Sequence, residues 1–157
     1  RDKEIVFTKA NLQLLKIDPR QIYLKCGGGQ WPCIINSSSL QSTKIIIGKA
    51  SGAYTLLEKN PKMPVSLRFC FFSQENAPIY FFVNCLVDKI QDYTHTNELA
   101  LITLNFSQRP PDDLILRIGE VLEANENFVN RREDRINITK ESIRSLGMEK
   151  EEGIAVP

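Results

Sequence analysis

The sequence has a single histidine, and no apolar run in it approaches the roughly 20 residues that a membrane-crossing helix needs. The second shortage predicts a soluble domain. The first argues against chemistry in which a nucleophile, a histidine base and a group orienting that base must gather. His95 stands in the polar stretch Tyr93-Thr94-His95-Thr96-Asn97, where an exposed turn residue is the simpler reading. No Asp or Glu lies in a run apolar enough to raise its pKa; Asp88 comes nearest, and a solvent-facing strand position accounts for it. The expectation is a protein that binds or transmits and is not an enzyme. An unrecognised carboxylate site stays as the alternative, to be revealed by a pocket with two acidic groups of displaced pKa.

An excess of charge of one sign is also missing. The 20 basic and 19 acidic residues give a net charge of +1 and no overall field that gathers nucleic acid, so any polyanion site must be local. Cys26 and Cys33 are too widely spaced for a zinc knuckle and have no second matching pair, so no metal is expected. Cys70 and Cys85 sit inside strand-like apolar runs, where cysteine serves as a small buried hydrophobe; reduced thiols and a cytoplasmic location follow. The triplet Gly27-Gly28-Gly29 leads into Gln30-Trp31-Pro32, without the Lys and Ser/Thr of a phosphate loop. The chain opens on Arg1 with no Met or signal pattern, and is expected to be a piece of something longer.

What is present is a series of short apolar runs separated by Gly, Pro, Asn and Ser, the pattern of an antiparallel sandwich or barrel. Residues 22–26, 33–36, 44–48, 65–72, 79–91 and 99–106 are six predicted strands, enough to close a small barrel. Their dense β-branched and aromatic residues suit a pleated surface, and the continuous runs suggest strands partly covered on both faces. The glycine triplet joins the first two runs as a hairpin, with Trp31-Pro32 starting the next strand. A short helix is expected over 8–17 with Thr8 as its N-cap, and another over 51–59, where a loop fits almost as well. A stronger helix begins after Pro110-Pro111, with Asp112 and Asp113 in its first turn and Leu114, Ile118, Val121 and Leu122 on one face. The polar stretch from Asn125 to Glu152 reads as a linker or tail. The domain expectation is therefore a mainly β domain with flanking helices over 1–127, followed by a linker over 128–157.

One cluster gathers guanidinium groups without lysine: Arg131-Arg132-Glu133-Asp134-Arg135-Ile136. An arginine fork binds phosphate oxygens in pairs and its face stacks on purines, which an ammonium cannot do. Arg131 and Arg135 share a side whether the segment is extended or helical. On these residues alone two readings stand: a ligand clasp, or a solvated charged turn neutralised by Glu133 and Asp134.

Placed after a β-rich domain and a helix, this cluster resembles the junction in PilZ proteins, where an Arg-x-x-x-Arg linker precedes the barrel that binds cyclic di-GMP. The resemblance extends upstream, through Trp31-Pro32-Cys33-Ile34-Ile35, Val65-Ser66-Leu67-Arg68-Phe69, Phe81-Phe82-Val83-Asn84-Cys85 and Arg109-Pro110-Pro111-Asp112-Asp113-Leu114-Ile115, to the amino-terminal domain of spirochaete-type two-domain PilZ receptors. It implies a small, six-stranded, antiparallel PilZ-like barrel with a flanking helix after Pro111, degenerate in ligand binding. It also implies that Arg131 and Arg135, helped by Arg132, grip the phosphates and stack on guanine. The second PilZ motif, Asp/Asn-x-Ser-x-x-Gly, is missing after Arg135. The nearest match, Asn105-Phe106-Ser107-Gln108-Arg109-Pro110, lies before the arginines and ends in proline, so its role is not carried over. The implied partners are cyclic di-GMP, a carboxy-terminal PilZ domain that completes the site, and a target protein, with no other cofactor. The alternative is a barrel that binds single-stranded nucleic acid, for which Arg68 beside Phe69 and Lys44 before its isoleucines would serve.

Overall fold

The computed structural model describes residues 3–93 and 97–134, with side chains through Asn125. Eight strands, all paired antiparallel, form one sheet: β1 (Ile5–Val6), β2 (Tyr23–Cys26), β3 (Gly29–Pro32), β4 (Ile34–Ser38), β5 (Ser42–Gly48), β6 (Val65–Phe72), β7 (Pro78–Asp92) and β8 (Leu99–Phe106). Their lateral order is β1-β4-β5-β8-β7-β6-β2-β3. β3 ends one side of this sheet while β4 lies next to the other end, yet only Cys33 separates them in sequence. The sheet therefore curls round until its ends meet, and the Cys33 amide donates to the Ile22 carbonyl at 3.0 Å at that corner. Register shifts between Ile35 and Ser37 and between Val87 and Lys89 add the local bend that closure requires.

The mainly β class and flanking helices are as the sequence implied, but the strands number eight rather than six. β1 is two residues long and carries no periodic signal, and β3 is the first half of a bent strand whose second half, β4, the sequence does reveal. At the hairpin, Gly27 and Gly28 are the two turn residues, with φ of 56° and 82°, and Gly29 already pairs with Cys26. Two successive positive φ values match the twist of the flanking strands in a two-residue hairpin. Gly29 is needed for a different reason: a Cβ there would lie 2.4 Å from the Trp31 ring.

Three helices pack on the sheet. α1 (Lys9–Leu15) is capped by Thr8, whose hydroxyl accepts from the Asn11 amide at 3.1 Å, and ends at Lys16 in the left-handed region. α2 (Gly52–Lys59) is capped by Ser51 and packs on β2, β3 and β5, so residues 51–59 are helix and not loop. α3 (Asp112–Asp134) starts on the Pro111 carbonyl, which accepts from Leu114 and Ile115, and its Leu114, Ile118 and Val121 are buried. These three join one core with Phe7, Leu12, Leu15, Phe69 and Phe71. Each side chain so buried contributes about 1.5–3 kcal/mol. α3 does not stop near Asn125 but runs on through Asp134, so the polar stretch read as linker is helical at least that far. No described helix is long and apolar enough to cross a membrane.

Candidate functional site

Two of the residues expected to clasp a ligand, Arg131 and Arg132, lie in the later part of α3. Leu114, Ile118 and Val121 fix the start of that helix to the core, and Arg117 ties it further: its Nη1 donates to the Leu15 carbonyl at 3.1 Å and its guanidinium lies 4.9 Å over the Phe71 ring. From Val121 the helix continues about 20 Å at its ordinary rise before it reaches Asp134. Arg131 and Arg132 therefore lie on the part of the helix that runs on beyond its buried face. Arg135 lies outside the described residues, as does His95.

The barrel's own segment closest to a PilZ motif, residues 105–110, lines an open cleft of about 660 Å³ beside Leu40, Gln41 and Ile115. Several of its polar groups are paired within the fold. The Ser107 amide donates to the Asn84 carbonyl at 2.9 Å, the Gln108 side chain accepts from Asn84 Nδ2 at 2.8 Å, and Arg109 pairs with Asp112 at 3.0 Å. These contacts join β8 to β7 and start α3. Pro110, where the motif has glycine, is buried.

The four cysteines are free and buried. Burial pushes the Cys33 and Cys85 thiols up to about 12 and raises Cys26 and Cys70 as well, so none is held as a reactive thiolate. Asp18 is buried too, but its carboxylate caps the 3-10 turn Pro19–Gln21, accepting from the Arg20 amide at 3.0 Å and from Gln21 Nε2 at 2.9 Å. Asp88 is exposed on β7. Among the described residues no group of three or more His, Cys, Asp or Glu side chains is placed to hold a metal.

A second feature escaped the sequence reading. The outer face of β2, β6 and β7 carries Tyr23, Lys25, Arg68, Tyr80 and Phe82 in cross-strand register, Tyr23 opposite Arg68 and Arg68 opposite Phe82. The Arg68 guanidinium lies between two rings, 4.5 Å from the Tyr23 centroid and 4.7 Å from that of Tyr80, and Lys25 Nζ stands 5.1 Å over Phe82. Tyr80 is 44% exposed and Phe82 49%. A run such as Ile79-Tyr80-Phe81-Phe82-Val83 reads as covered on both faces; in the structure only Val83 is buried and Phe81 half-buried, while the alternate ring pair faces outward. Lys44, the other cation considered for nucleic acid, pairs instead with Glu4 at 3.6 Å.

Comparison with known proteins places these features in a family. Residues 1–125 match the PilZN3 domain. A protein of Treponema denticola named cyclic di-GMP binding protein is 42% identical over 147 residues, covering 92% of this chain but only 46% of its own length, so the chain spans about half of that relative. Among solved structures, the Borreliella burgdorferi PlzA protein in complex with c-di-GMP superposes with a TM-score of 0.65 at 23% identity, over 90% of this chain and 59% of PlzA. Bacillus subtilis MotI/DgrA, an inhibitor of motility, superposes with a TM-score of 0.56 at 9% identity, over 81% of this chain and 51% of its own. At these identities the two structures speak to the fold, and the family match covers well over half of the sequence: the chain belongs to the PilZN3 domain family.

Proposed function

We propose that this chain is the non-enzymatic amino-terminal part of a cyclic di-GMP receptor, in which residues 1–127 form the barrel domain and residues 128–157 lead to a carboxy-terminal PilZ domain. The observation that carries the reading is membership of the PilZN3 family together with a 42% identical relative named for cyclic di-GMP binding. In this reading Arg131, Arg132 and Arg135 supply one half of the ligand site, pairing with phosphate oxygens and stacking on guanine, and the PilZ barrel supplies the other. The placement of Arg131 and Arg132 on a helix rooted in the barrel core supports a mechanical role. A ligand that draws the arginines onto a second domain would reorient that domain against this one, an interdomain hinge switch that a target protein reads.

The test is calorimetric titration of cyclic di-GMP into this chain and into the longer protein that includes the downstream sequence, each with Arg131→Ala and Arg135→Ala counterparts. Tight binding by the longer protein alone, weakened about tenfold or more by each substitution, is the expected result, since a charge-assisted hydrogen bond contributes about 1.5–3 kcal/mol. No binding by either protein would return the cluster to an ordinary charged linker.

A further inference from the structure

β7 is the longest strand, and it divides its partners: residues 78–85 pair with β6 and residues 85–92 pair with β8. Cys85 is the pivot, so residues 78–83 have β6 on one side and no strand on the other. The direction of their backbone groups follows from the neighbouring bond. The Asn84 carbonyl accepts from Ser107 on the β8 side, and in a strand the groups of every second residue point the same way. The N–H and C=O of Tyr80 and Phe82 therefore face the open side, and among the described residues no backbone group pairs with them there.

Strand edges of this kind template pairing with another chain, and proteins normally blunt them with charged side chains, prolines or bulges. β7 has both versions. Its other stretch without a strand neighbour, residues 86–92 on the β6 side, carries Asp88, Lys89, Asp92 and a register shift. Residues 78–83 have no charge and no bulge, and their one proline stands at the outer end. Above this edge sit the exposed rings of Tyr80 and Phe82, with Tyr80 fixed by its hydroxyl bond to Gln21 at 3.1 Å and by Arg68 stacked against it. Lys25 and Arg68 are the charged residues that this register places on the face, and both are cationic.

We infer that residues 78–83 are a docking edge for an extended segment of a partner protein, added as a further strand, with apolar side chains at alternate positions over Tyr80 and Phe82 and a carboxylate reaching Lys25. The in-plane donors and acceptors select a peptide backbone, which a nucleic-acid strand cannot reproduce, and the cations select an acidic flank. This inference is independent of the cyclic di-GMP reading.

The experiment uses this chain and a labelled synthetic peptide, Asp-Glu-Tyr-Val-Phe-Thr-Glu-Asp, with a second version N-methylated at alternate residues so that its backbone cannot pair. Amide exchange at Tyr80 and Phe82, read by NMR, is expected to be fast in the free protein despite their mid-strand position, and to slow about tenfold or more with the first peptide. The N-methylated peptide is expected to give no slowing, and Phe82→Lys and Lys25→Glu, both surface changes, to weaken binding while leaving the unfolding midpoint in place. Three results would overturn the inference: equal binding of both peptides, slowing that grows with protein concentration alone and so reports a second copy on the edge, or tighter binding of a deoxythymidine oligomer that weakens steeply with salt.

Discussion

Arg117 donates a hydrogen bond to the carbonyl of Leu15 at 3.1 Å and so joins the last turn of α1 to the first turns of α3, while its guanidinium covers Phe71 on β6. One side chain thus ties two helices and a strand, and it does so where α3 is rooted in the core. Arg117→Ala removes a charge-assisted bond and a partly desolvated cation–ring contact, and we expect a loss of about 2–3 kcal/mol in urea unfolding. Arg117→Lys should recover only part of this, because an ammonium lacks the planar face. A loss below about 0.5 kcal/mol for the alanine variant would mean that Leu114, Ile118 and Val121 hold the helix unaided.

Gly27, Gly28 and Gly29 look equivalent in the sequence and should not behave alike. A Cβ at Gly29 would meet the Trp31 ring at 2.4 Å, whereas at Gly28 it meets nothing within 4 Å. Gly29→Ala is therefore expected to cost about 2 kcal/mol or more by forcing the indole out of its packing against the hairpin and Gly52. Gly28→Asn, which tolerates the positive φ found there, should cost no more than a few tenths of a kcal/mol. Thermal unfolding of the two variants side by side gives the comparison.

Asp18 supplies a pH-dependent term. Burial alone would raise its carboxyl, but hydrogen bonds from the Gln21 side chain and the Arg20 amide and side chain outweigh it, and the folded value is lowered from 3.8. A group whose folded pKa is depressed stabilises the fold above its unfolded pKa, and that contribution is lost as pH falls through the folded value. Stability should therefore drop as pH is lowered below about 4. The Asp18→Asn variant should be less stable at neutral pH by about 1 kcal/mol and should show a flatter acid limb. Parallel acid limbs in the two proteins would assign the acid transition to other carboxylates.

How much of this was legible beforehand follows from what each element needs. β6 and β8 fell where expected because their apolar runs end in turn residues, and the cap Thr8 announced α1 locally, whereas α2 was left open between helix and loop. β3 was legible in part: Trp31-Pro32 read as the start of the strand after the hairpin, but Gly29-Gln30 carry no strand signal and pair because β2 lies beside them. The outward turn of Tyr80 and Phe82 was hidden for a related reason. Period-two burial cannot be read from a run in which both faces are apolar, and which face met solvent depended on which side of the curled sheet encloses the core. The extension of α3 through Arg132 was also obscured, because an apolar stripe marks only the part of a helix that packs on a core.

That extension yields a prediction that separates two ways the arginines could act. If Arg131 and Arg135 meet a ligand as neighbours on one turn of helix, the helix between them and the core must be continuous. Asn127→Pro removes a backbone donor and places the ring against the carbonyl of Glu123, at a cost of about 3 kcal/mol to the local helix. The substitution lies beyond Leu114, Ile118 and Val121, so the unfolding midpoint of the barrel should stay within about 0.5 kcal/mol of the parent, while helical circular dichroism falls. In the longer protein, cyclic di-GMP affinity should then drop about tenfold or more, because the ligand would have to reorder the broken segment. An unchanged affinity would mean that the arginines reach the ligand as an extended linker, and the helix over residues 127–134 would then belong to the free state alone.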